Sequence, residues 1–222
     1  MKSMARWLAP MVITGFGLLT ADQATAQATA PAAPEKTVMI KNIYGLEQNA
    51  RLRTPIYQAS GGGKIIRNSG NVVREWVQVV AEYYTAPDPK SRWFNQIAFQ
   101  FYVLAAQENR ETKAKEYTIF RGQVAYVDVD RSRRDARWAT MYLIPSAVTR
   151  FGDPIAVAVE VSVDGRVMDT RSDVDRRYAE IVSRDKEWWK NAKLPVKDGY
   201  LLKATDTPFS LLNVDDFEEI AQ

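Results

Sequence analysis

Apolar and polar residues alternate through most of this chain, and the alternation predicts strands. The clearest case is Trp93–Ala106, where Ile97, Phe99, Phe101 and Val103 fall on one face and Ala98, Gln100, Tyr102 and Leu104 on the other. The charged residues 107–116 read as a solvated hairpin tip, and Tyr117–Val129 returns as the partner strand with Gly122 as an expected bulge. Thr37–Tyr44, Arg137–Pro145, Pro154–Val163, Arg166–Thr170 and Gly199–Ala204 continue the pattern. Val72–Tyr84 is rich in β-branched and aromatic residues, which favours a strand with a bulge near Arg74-Glu75. The Asp164-Gly165 pair between two apolar segments predicts a two-residue hairpin turn.

One stretch breaks the pattern. Ser172–Ala192 is densely charged but carries Tyr178, Ile181, Val182, Trp188 and Trp189, which predicts one or two helical turns capped by Ser172 or Asp173. Short strands with frequent turn signals and one late helix predict a mainly β fold, a two-layer antiparallel β-sandwich with one short helix in the C-terminal half.

The amino-terminal segment has a different logic. Lys2 and Arg6 precede an apolar run from Trp7 to Thr20, and Ala24-Thr25-Ala26 follows. This order is that of a signal peptide spanning residues 1–26, with Gln27 as the first mature residue. The run is shorter than the roughly 20 apolar residues a spanning helix needs, and nothing later in the chain is long and apolar enough to span. Gly15-Phe16 resembles the start of a type IV pilin, but a pilin has a Glu at the fifth mature position and a long apolar helix after it. Here that position is Thr20, so an ordinary leader is expected. Residues 27–36 are Ala-, Pro- and Thr-rich, which predicts a flexible tether. Residues 37–222 then form the sandwich with a C-terminal extension. The expected location is outside the cytoplasm: periplasm, outer membrane or cell surface.

Composition narrows the chemistry. The formal net charge of +3 gives no reason to expect a nucleic acid partner. There is no Cys, so the fold must hold without disulfides in an oxidising compartment, and there is no His, which excludes Ser-His-Asp and Cys-His catalysis and the usual zinc sites. Gly61-Gly62-Gly63-Lys64 is followed by Ile65 where a phosphate loop needs Ser or Thr, so it reads as a plain loop. Asp128, Asp130 and Asp135 suggest calcium ligands, but Arg131, Arg133, Arg134 and Arg137 interleave with them and oppose a cation. Glu75, Glu82, Asp153, Glu160 and Asp164 supply carboxylates without a motif that pairs two of them for hydrolysis. The expectation is a non-enzymatic protein with no catalytic residues, no cofactor and no metal. Its candidate interaction surface is Trp188 and Trp189, one docked on the sandwich and the other partly exposed, with Arg131, Arg133 and Arg134 as a basic patch.

Several segments together carry a family likeness. They are Arg74-Glu75-Trp76-Val77-Gln78-Val79, Ile97–Ala106, the run from Arg121-Gly122-Gln123 to Met141-Tyr142-Leu143-Ile144-Pro145, the hairpin Val161–Gly165, and Trp188-Trp189 leading to Asp206-Thr207-Pro208-Phe209-Ser210-Leu211-Leu212. In these the chain resembles a verrucomicrobial family of secreted pilus-like proteins with a member in a type IV pilus gene locus of Akkermansia. The resemblance implies an immunoglobulin-like fold and protein–protein contacts in pilus-associated or envelope assembly. A carbohydrate-binding module for host or cell-wall glycan is the alternative that the aromatic residues suggest.

Overall fold

The longest alternating stretch becomes the spine of the molecule. In the computed structural model, which describes residues 36–54, 74–132, 135–180 and 185–210, β4 (Trp93–Glu108) lies at the centre of a five-stranded sheet. It pairs antiparallel with β5 (Lys115–Asp130) on one side and β7 (Asp153–Val163) on the other. β8 (Arg166–Val174) flanks β7, and short β9 (Val196–Asp198) pairs with β5. The other sheet runs β1 (Val38–Tyr44), β3 (Glu75–Thr85), β6 (Arg137–Leu143) and β10 (Leu201–Lys203), with β2 (Arg51–Arg53) on the same edge of β3 as β1. Two sheets around one core confirm a mainly β sandwich, consistent with the immunoglobulin-like expectation. One pairing departs from it: β9 runs parallel to β5 over Ile119–Arg121.

The predicted faces are the observed ones. Val77, Val79, Ala81 and Tyr83 of β3 meet Phe99, Phe101 and Val103 of β4, with Phe120, Val124 and Tyr126 of β5 completing a core that excludes water. Tyr83 tilts against Phe99 at 4.7 Å between ring centroids. Burial of each such side chain contributes about 1.5–3 kcal/mol, which is how a chain without disulfides holds together.

Glycines and turns explain the remaining local choices. The hairpin at Asp164-Gly165 has φ of 47° and 79°, the left-handed pair that a type I′ turn demands. Gly122 is no bulge, because Phe101 faces it in unbroken register. Its role is close approach: a Cβ there would stand 2.7 Å from both the Leu201 carbonyl oxygen and the Met141 Cε. Gly122 therefore lets β10 of one sheet close against β5 of the other. The bulge expected near Arg74-Glu75 sits instead in the partner strand, where Lys41 is the extra residue between the pairs Ile40–Tyr83 and Asn42–Glu82.

A helix also forms outside the expected segment. α1 (Pro145–Phe151) follows β6 directly, with Pro145 at its first turn where a missing N–H costs nothing. Ser172 and Asp173 lie in β8, and Asp175 caps a three-residue 3-10 turn over Arg176–Tyr178 by accepting from the Arg177 N–H. The helical turns expected in Ser172–Ala192 do form, at Arg176–Tyr178, residues 179–180 and Trp188–Lys190, but the cap is Asp175, because Ser172 and Asp173 pair with Ala158 and Val157 of β7. The leader, all of the tether except Lys36, the Gly61–Gly63 loop and the acidic tail from 211 onward lie outside the described residues.

Gly122→Ala is expected to lower stability by about 1–3 kcal/mol, because carbonyl and side chain must both shift. Urea unfolding measures this; a loss within error of zero contradicts the close-approach role.

Candidate functional site

The two adjacent tryptophans do not form an exposed platform. Trp188 and Trp189 are 2% and 7% exposed and lie in a 3-10 turn, Trp188–Lys190, packed on the outer face of the β4 sheet. They cover Leu104, Ile119, Ile155, Ala156 and Ala158, so the expectation that one indole stays partly exposed is corrected. The physical reason is that β4 and β7 are apolar on both faces, and the outward apolar residues need a cover. Trp189 Nε1 donates to Glu160 at 3.1 Å, and Lys190 adds an ion pair to the same carboxylate at 3.3 Å.

Arg131 is also structural. Its guanidinium sits 4.3 Å from the Phe94 ring centroid and pairs with Asp88 at 3.1 Å. It is buried, so no basic patch centres on it. Arg133 and Arg134 lie outside the described residues. Of the candidate carboxylates, Glu75 and Asp153 are bridged by Arg51, Glu160 anchors the tryptophan turn, and Asp164 stands exposed in the turn between β7 and β8. A groove of about 490 Å³ between Arg51, Glu75 and α1 residues Pro145, Ser146, Val148 and Thr149 lies beside that same bridge.

A different surface has the properties of a site. On the outer face of the first sheet, neighbouring strands align Asn42, Glu82 and Trp138 in one cross-strand row. The extra residue in β1 brings both Lys41 and Asn42 onto Glu82. Asn42 Nδ2 donates to Glu82 Oε2 at 2.7 Å, the Tyr44 hydroxyl donates to the same oxygen at 3.0 Å, and the Tyr84 hydroxyl donates to Oε1 at 3.1 Å. Lys41 Nζ completes the ring, 3.5 Å from Oε1 and 5.1 Å from the Tyr84 ring centroid. The Asn42 amide, helped by both tyrosine hydroxyls and Lys41, holds the Glu82 carboxyl below its ordinary range. Around this polar centre Met39, Tyr44 and Trp138 are 45%, 41% and 45% exposed.

Chemically, the arrangement is a satisfied polar centre ringed by exposed apolar side chains, with the Tyr44 and Tyr84 hydroxyls both tied to the Glu82 carboxylate. The covered half of the same sheet shows the contrast: Phe209 stacks on Tyr142 at 4.8 Å and meets Trp76 edge-on at 5.7 Å, closing that end. The sequence held a signal for the open half. Alternation in Arg137–Leu143 sets Trp138 opposite the core residues Ala139, Met141 and Leu143, and a large aromatic on the non-core side of a strand marks a candidate contact.

The fold defines a mainly β sandwich with an exposed aromatic cluster on one sheet. A protein-family model matches residues 35–222, and the chain belongs to that family. The crystal structure of a protein from Akkermansia muciniphila shares the fold, with a TM-score of 0.61 at 21% identity over 83% of this chain and 94% of that chain. No curated protein matches.

Two measurements check the geometry. Trp189→Phe leaves the Glu160 carboxylate without its indole donor and is expected to cost about 1–3 kcal/mol. Trp188→Phe is expected to cost less, because Trp188 Nε1 is buried with no hydrogen-bond partner; equal costs in urea unfolding contradict the anchor. Glu82, with its folded pKa depressed, stabilises the fold at neutral pH. That contribution declines as pH falls from the ordinary value of 4.5 through the lower folded value. Glu82→Gln is therefore expected to flatten the loss of stability between about pH 5 and about pH 3, and a parallel curve for the variant refutes it.

Proposed function

We infer that this chain is an exported, non-catalytic sandwich domain that acts through protein–protein contacts in pilus-associated or envelope assembly. The observation that carries the reading is the open aromatic face of Met39, Tyr44 and Trp138 around the Glu82 network. Exposed, fixed aromatic residues with a satisfied polar centre are the usual material of contact hot spots. The leader supports export, and the family likeness supports the envelope setting. The absence of His and Cys from the sequence and the structural engagement of Glu75, Glu82, Asp153 and Glu160 support a non-catalytic role.

One feature favours a second reading, glycan binding. Trp138 offers an exposed ring face of the kind that stacks on a sugar ring, on the same cross-strand row as Asn42. The face that would do this is Trp138, not the buried Trp188-Trp189 pair.

Fractionation of native cells followed by crosslinking mass spectrometry tests the first reading. The protein is expected in the envelope fraction with crosslinks to envelope proteins from Lys41, and Trp138→Ala is expected to remove them without lowering Tm. A cytoplasmic location, or crosslinks unchanged in Trp138→Ala, overturns it. Binding to a glycan array that Trp138→Ala abolishes at unchanged Tm selects the second reading.

A further inference from the structure

Three arginines gather where β2, β3 and α1 meet at one end of the sandwich. β2 sets Arg51 opposite Val77 and Arg53 opposite Glu75, and Arg74 comes just before Glu75. Arg51 is engaged by Asp153 at 2.7 Å and by Glu75 at 3.8 Å. Arg53 and Arg74 are exposed, and among the described residues no carboxylate stands within ion-pair distance of either guanidinium. Arg74 lines the groove of about 490 Å³ together with the apolar Pro145 and Val148 of α1, so a cation stands beside an apolar floor.

The chain reaches this cluster just before its most acidic segment. Phe209 meets Trp76 edge-on at 5.7 Å, and Leu52 packs against the same cluster. Leu52 lies between Arg51 and Arg53, while Arg74 is two positions before Trp76 on the same side of the strand, about 6.6 Å away. The β2–β3 ladder runs on to that point, because the Thr54 N–H donates to the Arg74 carbonyl. Beyond Ser210 the sequence continues to Asp215-Asp216-Phe217-Glu218-Glu219. The first of these carboxylates has a reach of about 17 Å from Ser210.

We propose that residues 211–222 dock on their own chain at this end, with Asp215, Asp216, Glu218 and Glu219 set against Arg53 and Arg74, and Phe217 against Pro145 and Val148. Charge selects this occupant. Residues 55–73 also flank the groove, but they carry Lys64 and Arg67 and no carboxylate. Residues 133–134 are both Arg, and residues 181–184 add Arg184. Residues 1–35 hold only Asp22 and Glu35 as carboxylates, and they join at the opposite end, where Val38 pairs with Thr85, about 33 Å along β3 from Glu75. Among the segments outside the described residues, 211–222 combines clustered carboxylates with an aromatic side chain inside the available reach. The contact is independent of the Trp138 face, and neither inference rests on the other.

Paramagnetic relaxation enhancement on the purified protein tests the contact. The sequence has no Cys, so Ala221→Cys creates a single site for a spin label. The label is expected to broaden the amide resonances of Val148 and Thr149. Arg53→Glu with Arg74→Glu is expected to remove the broadening, as is raising salt from about 0.1 M to about 1 M, which shortens the screening length from about 10 Å to about 3 Å. Should the arginine variant fold poorly, Asp215→Asn, Asp216→Asn, Glu218→Gln and Glu219→Gln together are expected to remove it instead. Resonances that stay sharp in the labelled wild type, or broadening that survives either charge variant in folded form, overturn the proposal. Broadening passed from labelled chains to unlabelled, isotope-enriched copies assigns the contact to a second copy and overturns docking within one chain.

Discussion

The structure depends on a strand that is buried on both faces. β4 sends Phe99, Phe101 and Val103 into the space between the sheets and Leu104 out the other side, and all four are buried. A strand in a two-layer sandwich normally has one wet face. Here the outward apolar residues of β4, β5 and β7 impose a requirement that the two sheets alone do not meet, so a third layer must cover them. The Trp188-Trp189 turn is that layer, fixed by the bond from Trp189 to Glu160 at 3.1 Å. The indoles are therefore consequences of β4.

The same argument separates covered from open surface on the other sheet. Tyr142 and Trp76 are outward aromatic residues, and the segment through Phe209 closes over them. Trp138 and Tyr44 are outward aromatic residues of the same sheet with no such lid among the described residues. Glu82 explains why they do not simply collapse together. Its carboxylate accepts from Asn42, Tyr44 and Tyr84 and pairs with Lys41, so the centre of the patch is polar and satisfied. Removing it would leave hydroxyls and an amide without their acceptor, which costs more than the bonds themselves contribute.

Local pattern made much of this legible. Alternation located the strands because each has one face toward a common core, and the Asp-Gly pair marked its turn because only that backbone fits the twist. Three features were hidden for physical reasons. Gly122 reads as a bulge in sequence, but its function is defined by Leu201 and Met141, which are distant in the chain. The helical turns expected after Ser172 begin only past Asp175, because strand pairing with β7 extends to Val174. Trp188-Trp189 looked like a contact surface because sequence shows adjacency but not what lies beneath. The inverse error concerns Trp138, whose neighbour Glu82 sits far away in the chain and becomes adjacent only through the β3–β6 register.

The chain's missing residues give these surfaces their weight. The sequence has no His or Cys, and Glu75, Glu82, Asp153 and Glu160 are tied to Arg51, the tyrosine hydroxyls or Trp189, so these four carboxylates serve as anchors of the fold. The two aromatic clusters are then put to opposite uses: Trp188 and Trp189 are spent on covering Leu104, Ile119 and Ala156, whereas Trp138 and Tyr44 stay exposed around a Glu82 centre whose hydrogen bonds are already made.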